Sequence, residues 1–207
     1  MWSKMDKFII TIGRECGSGG KYIGKELAKR FNIKCYDKEI LHKVYERNGY
    51  SYSKLEQYDE NKRSAFFKAL EMLSLNSYDS IFEDDNCQFL ISNAIKEIAD
   101  NESCIIIGRN GNNILKGKNN VINIFIYSND IEFKIRRKMD SKKISYEKAN
   151  LQIKSTDKKR KKYYEYVNKG HIWGDRKDYD YMIDSSVLGV EKTIDIIEEI
   201  IKKRYNI

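Results

Sequence analysis

Four glycines fall within eight residues of this chain, directly after a short β-branched run, and no other feature limits the fold as strongly. Residues 8–12 read FIITI and residues 13–24 read GRECGSGGKYIG. Helical spacing then begins at once, with Ile23, Leu27, Ala28 and Phe31 recurring along one face. A continuous apolar run closed by glycine is the pattern of a strand buried on both faces. Glycines between such a strand and a helix let the backbone curl tightly. Successive N–H groups and the positive end of the helix then face a single anion.

The rest of the chain repeats the alternation. Residues 34–37 (KCYD) predict a second strand, with a helix from Lys38 and a polar, helical stretch over residues 53–82 striped by Phe66, Phe67, Leu70 and Leu73. Asp85 with Gln88 has the form of a capping box, ahead of a helix marked by Ile91, Ala94, Ile95 and Ile98. Cys104–Ile107 and Val121–Tyr127 predict two more buried strands. Asn129 with Glu132 predicts a helix start, residues 182–183 a last short strand, and Val190, Ile194, Ile197 and Ile201 a final helix. Strands alternating with helices imply an α/β fold in which a parallel sheet of about five strands is flanked by helices. Two mostly polar, helical stretches, 38–85 and 140–177, interrupt the alternation, as elements lying over a site would.

The glycine loop has the logic of a P-loop, whose lysine reaches the transferring phosphate and whose hydroxyl holds magnesium. Gly17, Ser18, Gly19, Gly20 and Lys21 are therefore the candidate phosphate cradle. Anchored on Gly20-Lys21, the pattern asks for glycine at Glu15 and a hydroxyl at Tyr22, and both depart from it. Ser18 is the remaining hydroxyl candidate for a metal. The dinucleotide fingerprint fails because its third glycine falls on Tyr22, although Asp37 would suit a ribose-binding acid.

Charge is concentrated in one segment. The whole chain has 39 Lys and Arg against 31 Asp and Glu, a net +8. Residues 129–177 alone carry 16 cations against 7 acids, leaving the remainder near neutral. Such a stretch suits a polyanionic small molecule, a nucleic acid or an acidic surface. No apolar run approaches the ~20 residues of a membrane helix, and residues 8–12 are too short for a signal-peptide core. A cytoplasmic location without membrane contact is the expectation. The four cysteines (Cys16, Cys35, Cys87, Cys104) lack metal-ligand spacing, and the chain has no proline with which to form a Pro-rich ligand.

Taken in order, GRECGSGGKYIGKELAKRF, YDKEIL, IIIGRNGNNIL, TDKKRKKYYEYV and WGDRKDYDYMIDSSVLGVEKTIDII resemble the cytidylate kinase-like group of P-loop nucleoside monophosphate kinases. The resemblance spans nearly the whole chain. It implies a single P-loop kinase domain over residues 1–207, with an acceptor-binding insertion at 38–85 and a basic lid at 140–177. ATP is then the phosphoryl donor and Mg2+ is expected with it. The resemblance places Arg109 and Lys43 on the acceptor phosphate, with Asp37 nearby in the acceptor site. It gives Lys21, Arg137, Lys158 and Arg160 charge-stabilising roles in transfer. Ile107 stands where the group carries an acid, and Trp173 and Tyr179 fit a subgroup pattern without a known role. Nucleotide small molecules are the expected partners. The competing readings are a catalytically degenerate nucleotide binder, given Glu15, Tyr22 and Ile107, and a basic nucleic-acid-binding module.

Overall fold

The computed structural model describes residues 7–37 and 85–207. The expected insertion, with its helices and Lys43, lies outside the described residues, as do the side chains of Asp85 and Cys87. The strands are β1 (Ile9–Arg14), β2 (Lys34–Tyr36), β3 (Cys104–Ile107), β4 (Val121–Tyr127) and β5 (Tyr181–Asp184). The helices are α1 (Gly20–Arg30), α2 (Asp85–Asn101), the single turn α3 (Gly111–Ile114), α4 (Ile131–Lys142), α5 (Tyr146–Val167) and α6 (Ser185–Tyr205). All strand pairs are parallel, in the order β2-β3-β1-β4-β5. The expected five-stranded parallel sheet is thus the observed one.

Strand alternation explains why both faces are apolar. Ile10, Ile12, Ile105, Ile107, Ile122, Ile124 and Ile126 face α1 and α6, meeting Ile23, Leu27, Val190, Ile194, Ile197 and Ile201. Ile9, Cys104, Ile106 and Val121 face α2, meeting Ile91, Ala94, Ile95 and Ile98. Each fully buried isoleucine contributes about 1.5–3 kcal/mol, so the two layers hold the strand ends in fixed register. A third, smaller cluster of Cys16, Ile135, Ala149 and Ile153 fastens the glycine loop to α4 and α5.

Two local details differ from the sequence expectations. β1 runs two residues beyond residue 12, because Gly13 and Arg14 keep pairing with Phe125 and Ile126 of β4. The cap of α4 is Asp130 rather than Asn129, its carboxylate accepting from the Phe133 amide. The basic stretch 140–177 is largely one 22-residue helix, α5, docked on the loop. β1 lies between β3 and β4, where the strand order reverses, and parallel sheets open a ligand crevice outside the carboxyl ends of strands at such a point.

Candidate functional site

The loop after β1 is held from behind. The Glu15 carboxylate accepts from the Ser128 amide at 3.1 Å and pairs with Lys134 at 2.9 Å. The Ser18 hydroxyl is fully buried, 3.0 Å from the carbonyls of both Glu15 and Ile126. In this geometry the Ser18 hydroxyl, expected as a metal candidate, braces the loop through two backbone carbonyls. Gly19 caps α1 in a left-handed conformation. Among the described residues no acceptor meets the amides of residues 17–21, which is the open donor set expected of a first helical turn.

Cations ring this donor set. A Cβ at Gly17 would sit 2.7 Å from the Lys134 Cβ, so α4 lies directly against the loop. Arg137 comes within 3.2 Å of the Cβ position of Gly19, while its neighbour Arg136 turns outward to Asp130, 3.8 Å away. Lys138 Nζ is 3.6 Å from the Cys16 sulfur. From α5, Asp157 accepts from the Cys16 amide at 2.7 Å, and Arg160 donates to the Arg14 carbonyl at 3.0 Å. Burial pushes the Asp157 carboxyl up, against the opposing pull of Arg160 and the Cys16 amide. Asp157, Arg160 and Tyr164 share one helical face, three to four residues apart. Lys158, one step round the helix, is exposed and does not line the cleft. Of the two lid cations expected at the site, Arg160 lines the cleft and Lys158 does not.

Lys21, the second residue of α1, reaches Asp37 at 2.6 Å with half of its side chain exposed. Asp37 is buried at the end of β2 and also faces Arg14 at 3.6 Å. Burial alone would push its carboxyl up, but Arg14, then Lys21, then Arg109 outweigh it and hold Asp37 below the ordinary aspartate range. A carboxyl lowered in the folded state stabilises the fold above the unfolded pKa, near 3.8, and that contribution is lost as pH falls through the folded value. Wild-type stability should therefore drop below about pH 4 more steeply than that of Asp37→Asn. Urea midpoints across pH 2–6 would check this, and parallel slopes would remove Asp37 from the account.

A cleft open to solvent lies at the carboxyl ends of β1 and β3. Arg14, Arg109 and Arg160 line it together with Thr11, Asn112 and Tyr164. The turn after β3 is unusual, with Gly108, Arg109 and Asn110 all at positive φ (68°, 55° and 58°). Non-glycine residues there are strained, and such strain concentrates at functional turns. A pair of reciprocal amide bonds, Asn110 to Asn168 at 2.9 Å and back at 2.7 Å, ties the turn to the end of α5. Trp173 and Tyr179 form the cleft's aromatic wall, their rings 5.5 and 4.9 Å from that of Phe125 over Gly13. His171 is tied to Asp178 at 2.8 Å.

The residues missed in the sequence are Arg14 and Asp157. Arg14 carried a usable signal: Ile12-Gly13-Arg14 and Ile107-Gly108-Arg109 are the same triplet, on neighbouring strands whose isoleucines are register partners. Asp157 carried none beyond its place in a charged run.

Among the described residues magnesium finds no ready-made shell. Mg2+ requires several oxygen ligands in near-octahedral array, whereas each nearby carboxylate is engaged: Asp37 by Lys21 and Arg14, Asp157 by the Cys16 amide, Glu15 by Lys134. Ile107 is fully buried, lying 3.0 Å from a Cβ placed on Gly24 of α1. Tyr22 is exposed and bonded to Glu191. Among the described residues no three His, Cys, Asp or Glu side chains could share a metal ion, and no helix is long and apolar enough to cross a membrane.

A model of the cytidylate kinase-like family matches residues 9–187. No curated protein matches the chain. Among solved structures, an uncharacterized protein from Eubacterium ventriosum ATCC 27560 is 28% identical, with a TM-score of 0.70 over 95% of this chain and 99% of that one. Shikimate kinase from Bacteroides thetaiotaomicron is 14% identical, with a TM-score of 0.52 over 94% and 98%. Shikimate kinase from Acinetobacter baumannii, in complex with shikimate, is 13% identical, with a TM-score of 0.50 over 96% and 95%. At those identities, what the two shikimate kinases share with this chain is the fold.

Proposed function

The chain belongs to the cytidylate kinase-like family, and on that footing we propose that it is an ATP-dependent phosphotransferase acting on a nucleoside monophosphate, nominally CMP or dCMP, or a related phosphorylated small molecule. The observation that carries this reading is the convergence of Arg14, Arg109 and Arg160 on one cleft beside an open run of loop amides. Gly17, Ser18, Gly19 and Gly20 supply the amides for the donor phosphates, and Lys21 supplies a nearby cation. Arg109 faces the acceptor phosphate, with Asp37 fixing the cations around it. Arg137 and Arg160 offset the charge of the transferring group. Residues 140–177 act as a lid and 38–85, with Lys43, as the acceptor-binding insertion. Magnesium arrives bound to the triphosphate as part of the substrate.

In the transfer, the bond between the terminal phosphorus and the bridging oxygen of ATP breaks, and its electron pair leaves on ADP. An anionic oxygen of the acceptor phosphate forms the new bond, so no proton has to be removed. What the protein contributes is alignment and fixed positive charge in a site that excludes water. Four cations of the basic stretch, Lys134, Arg137, Lys138 and Arg160, face this loop. That supports a small polyanion over a nucleic acid.

Coupled ADP release over a panel of nucleoside monophosphates, with shikimate as a hydroxyl acceptor, tests the reading. Acceptor-dependent release with a phosphate-bearing acceptor is the expected result. ATP binding without release for any acceptor would leave a degenerate nucleotide binder instead. Lys21→Ala should lower kcat by roughly 10–100-fold, with unchanged circular dichroism, because its ammonium is half exposed and shared with Asp37.

A further inference from the structure

The P-loop pattern puts a lysine side chain at the helix start, reaching the terminal phosphates. In this chain the first residue of α1, immediately after the left-handed Gly19, is Gly20. The space that a side chain at position 20 would take is not empty. A Cβ there would meet Arg14 Cβ at 2.6 Å and Arg14 Cγ at 3.2 Å. The arginine stem from the end of β1 therefore runs through the volume of the absent residue-20 side chain. Its guanidinium lies on Gly108, where a Cβ would coincide with Nη1, and faces Asp37 at 3.6 Å. Lys21 points to the other oxygen of Asp37. Two glycines thus make room for one arginine, Gly20 for its stem and Gly108 for its guanidinium, and the side chain as a whole is only 13% exposed.

We propose that Arg14, rather than Lys21, is the catalytic cation that contacts the terminal phosphoryl group of ATP, entering from β1 the position that Gly20 leaves open. The proposal rests on the kinase reading above and assigns a cation within that site. A planar guanidinium spans two phosphoryl oxygens at once, which an ammonium does not. Its stem packs on Gly20 of α1 and its guanidinium on Gly108, just after β3, so little ordering is required when the substrate binds. Arg109 and Arg160 line the same cleft.

The test compares wild type with Arg14→Gln, Arg14→Lys, Gly20→Lys and the double variant Arg14→Ala/Gly20→Lys, with circular dichroism to establish folding. Affinities for ATP and ADP are measured by calorimetry, a readout independent of any acceptor. Contact with the terminal phosphoryl predicts that Arg14→Gln lowers the ATP-over-ADP preference by roughly 10–100-fold while ADP affinity stays within a few-fold. Arg14→Lys should recover only part of it. Gly20→Lys alone should lose stability, since its Cβ meets the Arg14 stem. In the double variant the stem is gone, and the introduced lysine should restore at least a tenfold preference over Arg14→Gln. A wild-type ATP preference left intact by Arg14→Gln overturns the role of Arg14 and leaves the kinase reading standing, as does a double variant no better than Arg14→Gln. A wild-type protein that binds neither nucleotide overturns both.

Discussion

Replacing Gly108 with alanine is expected to reduce phosphoryl transfer at least 100-fold and to lower stability by about 2–4 kcal/mol. Two causes add. Gly108 sits at φ 68°, where an L-residue costs about 1–2 kcal/mol. Its Cβ would also land on the Arg14 guanidinium, which must then leave a buried place beside Asp37. Displacing Arg14 removes the largest favourable influence on the Asp37 carboxylate, and with it a cation of the cleft. Urea denaturation and the coupled ADP assay measure the two losses separately. Adding Arg14→Ala should return the part of the stability that the collision took, without returning activity. Unchanged stability in Gly108→Ala would mean that the turn is not packed on Arg14 at all.

The sheet was legible because parallel strands covered on both faces read as unbroken isoleucine and valine runs, such as CIII and VINIFIY. The loop was legible because glycine spacing after such a run has few other uses. Reading fell short where partners meet through space. The glycine spacing points to Lys21, just C-terminal to the loop, whereas the stem that fills the residue-20 volume comes from Arg14, six positions earlier. Two identical Ile-Gly-Arg triplets were visible, but only their adjacency as β1 and β3 makes them one site. Within the expected lid, 140–177, charge alone does not say which cations of the run 158–162 turn inward. In the fold its exposed lysines face outward, while Asp157, Arg160 and Tyr164 dock inward. The departures at Glu15 and Ile107 also gain reasons: one bolts the loop to α4, and the other packs β3 on α1.

Arg109 offers the sharpest separation of function from fold. It holds a left-handed conformation, φ 55°, between Gly108 and Asn110, which are also left-handed. Glycine adopts that backbone without strain, so Arg109→Gly relieves about 1–2 kcal/mol in the folded state. It also loosens the unfolded chain by about 0.4–1 kcal/mol, which offsets much of the relief. The net change in stability should be within about 1 kcal/mol of zero, whereas removing a structural arginine ordinarily destabilises. Activity should move far more. Loss of a guanidinium that meets the acceptor phosphate should raise the acceptor KM and lower kcat, reducing kcat/KM by roughly 100–1000-fold. The ATP affinity of the free protein should stay within a few-fold, because the proposed site for the donor phosphates is the loop. Arg109→Lys should restore charge but not the two-oxygen contact, and so recover only part of the acceptor affinity. A fully active Arg109→Gly enzyme would place the acceptor elsewhere. A Arg109→Gly protein that unfolds would show that the strained arginine is held for packing, with its charge incidental.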